Sequence, residues 1–291
     1  MKYYILYNPL AGHGSHDEKL GTLKSYLKGE CIEYYVTDIA DYHQLLSTLE
    51  ADDKIVISGG DGTLNRFINA VDPDLITNDV LYYASGSGND FLHDLDKKPG
   101  CEPFKINRYL KNLPTVTVKG KTYRYINGIG YGLDGYCCEE GDRLKAANKK
   151  VDYTMIAIKG LLFSYKPRNA TVVVDGKEYS FKKVCIAPTM NGRFYGGGMM
   201  ATPDQDRLGD GSQTFMTLYG AGKLKTLMVF PSIFKGEHIK KDKKVTVLSG
   251  KEITVEFSSP RPLQIDGETI PNVSAYTARS AKIEAELKVK N

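Results

Sequence analysis

Residues 54–65 read KIVISGGDGTLN, an apolar run that stops at two glycines and then resumes. The run Lys54–Ser58 predicts a buried strand, and the apolar spacing from Leu64 to Val71 predicts a helix after the glycines. Glycines let a backbone approach a polyphosphate closely, and the first N–H groups of a helix attract anions. The stretch therefore predicts a strand–loop–helix unit that binds phosphate; a tight turn without a ligand is the alternative.

Strands alternate with helices on both sides of this stretch. Further strands are predicted at Lys2–Tyr7, Cys31–Val36 and Val80–Ala84, and further helices at Leu20–Leu27 and Tyr42–Leu49. Such alternation is typical of a parallel sheet with right-handed crossovers. Ligands bind at the carboxyl ends of parallel strands, and the glycine clusters fall at those ends. Residues 1–115 are therefore predicted to form a Rossmann-like α/β domain that binds a phosphate compound.

The pattern changes near Thr115, where short β-branched runs separated by turn signals take over. Runs of this kind predict an antiparallel sheet or sandwich over residues 116–275, interrupted by one helix around Asp152–Tyr165. Residues 276–291 are expected to form a C-terminal tail in which 281–289 is either a last strand or a short helix, with a return to the first domain as one option. The predicted fold class is α/β, with an N-terminal parallel-sheet domain and a C-terminal antiparallel β-sandwich.

The composition excludes several classes of protein. No apolar run reaches the length of about 18 residues that a transmembrane helix needs. The apolar start, Met1–Tyr7, is too short for a signal peptide, so a cytoplasmic location is expected. The five cysteines form no CxxC pair, so neither a disulfide framework nor a zinc site is expected.

Positive charge is concentrated between Tyr219 and Lys251. This segment carries eight lysines and two acids beside the apolar run Leu227–Pro231. It is predicted either to contact an anionic membrane surface or to be a solvated loop and strand edge.

Two carboxylates flank a glycine at Asp266-Gly267-Glu268. Such a pair can point into one site, where one member accepts the proton of an attacking hydroxyl and the other binds magnesium or orients the first. A β-turn with solvated acids is the alternative. Asp61, in the phosphate-binding stretch, is similarly expected to contact magnesium, a sugar or the phosphate acceptor.

Three other positions have open interpretations. Thr37 follows the second strand and either binds the ligand or caps a turn. The run Tyr195–Met200 with Pro203–Gly211 is either part of a functional site or a glycine-rich turn. The run Asn127–Gly135 is either a functional segment or a bulged strand.

The motifs together resemble a known family. Neither GxxxxGK[ST] nor GxGxxG occurs, whereas GGDGT at 59–63 resembles the superfamily of NAD kinases, phosphofructokinases, and diacylglycerol and sphingosine kinases. The segments NPLAG at 8–12, GSGND at 86–90 and QIDGE at 264–268 resemble motifs of the lipid branch. Their order spans nearly the whole chain. The chain is thus identified as resembling bacterial stand-alone lipid kinases.

The resemblance implies which residues bind ATP. They are Asn8, Pro9, Leu10, Ala11, Gly12, Thr37, Gly59, Gly60, Asp61, Gly62, Thr63, Leu64, Asn65, Gly86, Ser87, Gly88 and Asn89.

The resemblance also implies catalytic and metal-binding residues. Glu268 is favoured as the general base, with Asp266 and Asp61 supporting it at the reaction centre. A magnesium ion is expected at Asp210 with the carbonyls of Arg207 and Ser212, and Asp134 is expected in a water and magnesium network. The sequence departs from the family pattern at Gln205, usually alanine, and at Gly209, usually an acid.

These implications predict an ATP-dependent lipid kinase that phosphorylates diacylglycerol or a sphingoid-like acceptor. We expect ATP and magnesium as cofactors, a lipid substrate at the inner membrane surface, peripheral membrane contact through residues 219–251, and no nucleic-acid partner. The oligomeric state stays open, with a homodimer among the options. An NAD kinase, a non-catalytic nucleotide- or lipid-binding module, and a lipid carrier or membrane adaptor are the alternatives.

Overall fold

The computed structural model describes residues 1–8, 16–86, 88–241 and 243–290. The chain divides into two compact units, Met1–Leu113 and Pro114–Asn291. No helix in the described residues is long and apolar enough to cross a membrane. Pro9, Leu10, Ala11, Gly12 and Ser87, expected to bind ATP, lie outside the described residues.

The first unit is built on an open sheet. Its strands are β1 (Lys2–Tyr7), β2 (Glu30–Tyr35), β3 (Lys54–Gly59), β4 (Asp79–Ala84) and β5 (Phe104–Lys105). They lie in the order β2-β1-β3-β4-β5, and every neighbouring pair is parallel except β4 and β5. The side chains of β1 and β3 are almost all buried, as expected for strands covered on both faces. The predicted parallel-sheet domain is confirmed.

Helices connect these strands. They are α1 (His16–Tyr26), α2 (Tyr42–Ser47), α3 (Asp61–Ala70), α4 (Asp90–Asp94) and α5 (Asn107–Leu110), with a 3-10 turn at Pro73–Leu75. Leu20 and Leu23 of α1 pack with Ile5 and Val56 of the sheet. This packing fixes α1 against the strands whose carboxyl ends carry the glycine loops.

The second unit is mostly antiparallel sheet. Its first six strands are β6 (Thr115–Val118), β7 (Lys121–Arg124), β8 (Gly128–Tyr131), β9 (Arg168–Val174), β10 (Lys177–Ile186) and β11 (Thr189–Met190). The remaining strands are β12 (Phe194–Tyr195), β13 (Met199–Met200), β14 (Gln213–Tyr219), β15 (Val245–Gly250), β16 (Glu252–Ile265) and β17 (Glu268–Arg279). β12 and β13 form a separate hairpin.

The long strand β16 closes the main sheet on itself. Its first half pairs with β9 and its second half with β8, and the pairing shifts register between Glu256 and Arg261. Bulges of this kind bend a strand and let it pass from one layer to another. The order β16-β8-β11-β14-β10-β9 therefore returns to β16, which confirms the predicted antiparallel domain and adds its closure.

Helices also belong to the second unit. They are α6 (Leu133–Ala146), α7 (Tyr153–Lys159) with a π-helical turn at Gly160–Ser164, α8 (Lys223–Ile233), α9 (His238–Lys241) and α10 (Ala281–Lys290). Leu133, Leu161 and Ile233 bring α6, the π-turn and α8 into one apolar cluster with Met216 of β14.

The C-terminal segment differs from the expected tail. β17 continues to Arg279 and pairs with both β6 and β16, so it is an integral strand of the second sheet. α10 follows it, and Thr115 Oγ1 donates a hydrogen bond to Glu284 at 3.2 Å. Residues 276–290 thus belong to the second unit, and long-range strand pairing is the reason.

Candidate active site

The GGDGT stretch forms the turn from β3 into α3. Gly60 is the N-cap of α3, and no side chain caps the helix at this end. A Cβ atom on Gly59 would lie 2.2 Å from Thr63 Oγ1. The short, branched Thr63 side chain could not move far enough to avoid this clash. Glycine at 59 thus leaves room for Thr63, and the start of α3 has no capping side chain, as expected for a helix N-terminus that binds an anion.

A second loop packs directly on this turn. A Cβ atom on Gly86 would lie 2.4 Å from Gly60 Cα and 2.7 Å from Gly60 N. Ser85 N donates to Gly59 O at 3.0 Å, which joins the loop after β4 to the end of β3. The two predicted glycine motifs thus form one backbone-to-backbone surface at the carboxyl edge of the sheet.

Asp61 fastens the same two loops together. Its carboxylate accepts hydrogen bonds from Asp90 N at 2.7 Å and Phe91 N at 3.0 Å, at the N-terminus of α4. These contacts give Asp61 a positioning role, since both oxygens already hold backbone donors.

Asn89 fixes the loop before α4. It has a left-handed backbone conformation with φ of 47°, and its Nδ2 donates to Gly86 O at 2.8 Å. Asparagine tolerates this conformation better than most residues. Its buried Oδ1 has no hydrogen-bond donor within the described part of the chain. A ligand donor, such as a sugar hydroxyl, would satisfy this oxygen.

The remaining predicted nucleotide-binding residues lie at the same edge of the sheet. Asn8 follows β1, and Thr37 follows β2 and donates from Oγ1 to Asp38 Oδ1 at 2.9 Å. Lys19 of α1 was not predicted as a site residue, and its Nζ donates to Ser85 O at 2.9 Å. Lys19 brings a cation to the glycine loops, and no motif spacing pointed to it.

Asp266 and Glu268 have different surroundings in the turn between β16 and β17. Asp266 is buried, and its carboxylate accepts hydrogen bonds from three backbone N–H groups, those of Ile126 at 2.7 Å, Asn127 at 2.9 Å and Gly128 at 2.9 Å. Such a carboxylate is a poor general base, because a proton would displace its donors. It fixes the strand β8 against the turn.

Glu268 begins β17 and is exposed. Within the described residues, its carboxylate has neither a hydrogen-bond partner nor an ion-pair partner. Gly267 precedes it with φ of 95°, and Gly267 N donates to Gln264 Oε1 at 2.6 Å. The hydrogen bond of Gly267 thus ties the backbone of the turn, and the Glu268 side chain faces solvent.

Asp134 lies in the first turn of α6 in an apolar environment. Tyr195 Oη donates to its Oδ1 at 2.9 Å, and its Oδ2 has no hydrogen-bond partner in the described residues. Burial raises the pKa of this carboxyl to about 7, although the Tyr195 hydroxyl partly offsets the effect. A desolvated carboxyl beside one hydroxyl is not an open oxygen-rich magnesium site.

The residues expected around a structural magnesium ion do not fit one. Asp210 Oδ1 accepts from Ser212 N at 2.9 Å, and Asp210 Oδ2 lies 3.7 Å from Lys251 Nζ. The Ser212 carbonyl, expected as a ligand, accepts from Gln205 Nε2 at 2.9 Å. Lysine and amide donors thus already contact the carboxylate and carbonyl oxygens that would have to bind magnesium. Across the described residues, no group of three or more His, Cys, Asp or Glu side chains forms a metal site.

Comparison with known proteins gives matches to both units. Residues 2–119 match the diacylglycerol kinase catalytic domain, and residues 127–284 match the YegS C-terminal NAD kinase beta sandwich-like domain. The diacylglycerol kinase of Mycobacterium tuberculosis (strain H37Rv) is 26% identical over 288 residues, with 91% of each chain covered.

Solved structures share the fold. The crystal structure of a diacylglycerol kinase from Bacillus anthracis (strain Sterne) superposes with a TM-score of 0.64 at 18% identity, covering 96% of this chain and 94% of that one. The two matches together define the class as two-domain kinases, in which a diacylglycerol kinase catalytic domain precedes an NAD kinase beta sandwich-like domain. Within that class, this chain belongs to the diacylglycerol kinase catalytic-domain family with a YegS-type C-terminal domain, and it is a lipid kinase.

Proposed function

We propose that this lipid kinase transfers the γ-phosphoryl group of ATP to a hydroxyl group of a membrane lipid, with diacylglycerol as the first acceptor to test. The observation that carries the proposal is the pair of carboxylates in the turn before β17. Asp266 is bound by three backbone N–H groups, whereas Glu268 is exposed and available. This arrangement supports a positioning role for Asp266 and a general-base role for Glu268. The name of the M. tuberculosis relative supports diacylglycerol; a sphingoid-like alcohol is the next acceptor.

The first unit provides the donor side. The uncapped N-terminus of α3 and the paired glycines Gly60 and Gly86 offer backbone N–H groups and close approach to the phosphates of ATP. Lys19 adds a positive charge near the same loops. Binding of this type orients the γ-phosphoryl group and offsets its charge, which is the main requirement for phosphoryl transfer.

The second unit provides the base. The lipid hydroxyl oxygen forms a bond to the γ-phosphorus, and the bond between that phosphorus and the bridging oxygen of the ADP leaving group breaks. The hydroxyl proton passes to a Glu268 carboxylate oxygen. Asp266 takes no proton and keeps β8 and the turn in place.

A labelling experiment with a panel of acceptors tests this function. The purified chain is incubated with γ-labelled ATP, a magnesium salt, and vesicles that contain diacylglycerol, a sphingoid base or a polyprenol, with NAD in a parallel tube. We expect label in phosphatidic acid or another lipid phosphate. Label in NADP alone would show that the chain phosphorylates NAD and would contradict the lipid-kinase proposal. ATP binding without any labelled product would favour a binding module.

A further inference from the structure

Exposed apolar side chains are concentrated on two neighbouring segments of the second unit, Tyr153–Ser164 and Lys223–Phe234. The most exposed are Phe163 at 78%, Leu224 at 77% and Met228 at 73%. Tyr153, Met155 and Phe234 on the same segments are also exposed. We call these two segments the apolar face. Concentrations of this kind on a folded surface indicate a binding surface for an apolar partner.

The opposite sides of the same helices are already packed. Ala157, Leu161 and Ile233 are buried in the apolar cluster beneath. The helices are therefore apolar on both sides, and only one side is used by the core. A surface helix in water normally has a polar outer side.

The π-turn directs Phe163 outward. Tyr165 N donates to Gly160 O at 2.7 Å across the wider turn. A Cβ atom on Gly160 would lie 2.6 Å from Tyr136 Cε1, so glycine allows the turn to sit against α6. As a result Leu161 points into the core and Phe163 out of it. π-turns of this kind are frequent at functional sites.

A cavity of about 430 Å³ lies between the two segments. It is lined by Thr154, Ile158, Leu227, Phe230, Pro231 and Phe234. Pro231 has no N–H for the helical hydrogen bond of α8, which weakens the helix at the cavity. The lining offers an acyl chain an apolar environment.

The charge on the apolar face has one sign. Its two segments contain three lysines, Lys159, Lys223 and Lys225, and no acid, and Lys166 and Lys235 follow their C-terminal ends. Lys223 Nζ donates to Leu162 O at 2.5 Å, so one of these lysines also ties α8 to the π-turn. Apolar tips among lysines complement the acyl chains and headgroups of an anionic bilayer.

We propose that the apolar face docks the protein on an anionic lipid bilayer, with Phe163, Leu224 and Met228 inserted among the acyl chains. The lysines contact the anionic headgroups, and the cavity accepts part of an acyl chain. This inference rests on the proposed lipid-kinase function. In it, the lipid acceptor reaches the protein from the bilayer at the apolar face. Only some of the lysines between residues 219 and 251 belong to this surface. Lys251, for example, lies beside Asp210.

Vesicle flotation tests the docking surface. The full chain and the triple variant Phe163→Ser, Leu224→Ser, Met228→Ser are floated with phosphatidylcholine vesicles, with and without phosphatidylglycerol. Leu75→Ser is the matched control, because Leu75 is 75% exposed but lies in the first unit. We expect the triple variant to lose about tenfold or more of its partitioning onto anionic vesicles, and the control to lose little.

Two further measurements distinguish the outcomes. Activity on a short-chain, water-dispersed diacylglycerol should survive in the triple variant, whereas activity on vesicles should fall. Equal partitioning of the triple variant and the wild type would overturn the docking proposal even if lipid is phosphorylated. A dimer that the triple substitution converts to monomer, with unchanged partitioning, would instead make the face a contact between two copies. Vesicle binding without any lipid product would count against the proposed function alone.

Discussion

Asp266 and Glu268 lie two positions apart and have opposite surroundings. Asp266 holds three backbone N–H groups, and Glu268 faces solvent. The resemblance favoured Glu268 as the base, but the local sequence provides no physical reason to separate the two carboxylates, because it does not show that the N–H groups of residues 126–128 bind Asp266. The long-range hydrogen bonds separate the positioning residue from the proposed base.

Substituting Asp266 by Asn should destabilise the fold. One oxygen becomes an NH₂ group that faces backbone donors, and the charge that strengthens these hydrogen bonds is lost. We expect the free energy of unfolding to fall by about 2–4 kcal/mol. Urea unfolding measures the change, and exposed Asp204→Asn serves as the control. Equal stability of the two variants would contradict this role.

Asp134 should make stability depend on pH. Burial raises its pKa to about 7, whereas an ordinary aspartate has a pKa of 3.8. Between these values the folded protein keeps a proton that the unfolded chain releases, so this group's contribution to stability falls as pH rises and levels off above about 7. Relative to Asp134→Asn, the wild type should lose stability from about pH 4 to about pH 7. A difference that stays constant with pH would refute the assignment.

Among the elements, the contact between the two glycine loops can be tested by substituting one of its glycines. Gly86→Ala places a Cβ atom 2.4 Å from Gly60 Cα, so the two loops must separate. We expect the Kd for ATP to rise roughly tenfold or more, because the backbone donors lose their alignment. Isothermal titration measures it. Gly21→Ala in α1 is the control, since its added Cβ meets nothing within 4 Å.

Several elements were predictable and others were not. The strands and loops of the first unit follow from local apolar runs and glycine motifs. Helix α6 was missed because Gly135 and Gly141 interrupt it, and their close approach to Pro262 and Tyr153 is a tertiary requirement. No helix was predicted at α8, where the sequence showed only a basic segment with an apolar run.

Strand β17 escaped prediction for a similar reason. It carries Pro271 and a left-handed Asn272, and its register against β16 breaks near them. Only pairing with β6 and β16 on either side makes this irregular segment a strand.

At the scale of the whole molecule, the two units divide the proposed work. In this proposal the open parallel sheet supplies backbone donors to ATP, and the closed antiparallel sheet carries Glu268 and the apolar face. The closure of the second sheet depends on both halves of β16, whose pairing partners are far apart in the sequence. The family and fold class were therefore readable from motifs, whereas the closure and the apolar face required the structure.

The transfer rate of Glu268→Gln shows whether Glu268 is the general base. Phosphoryl transfer from labelled ATP to diacylglycerol is measured for the wild type, for Glu268→Gln, and for exposed Glu178→Gln as control, beside the Kd for ATP. If Glu268 accepts the proton, we expect kcat of Glu268→Gln to fall by about 10²–10⁴-fold while its Kd for ATP and its stability stay unchanged. A Glu268→Gln variant that keeps the wild-type kcat would contradict the assignment of Glu268 as the base.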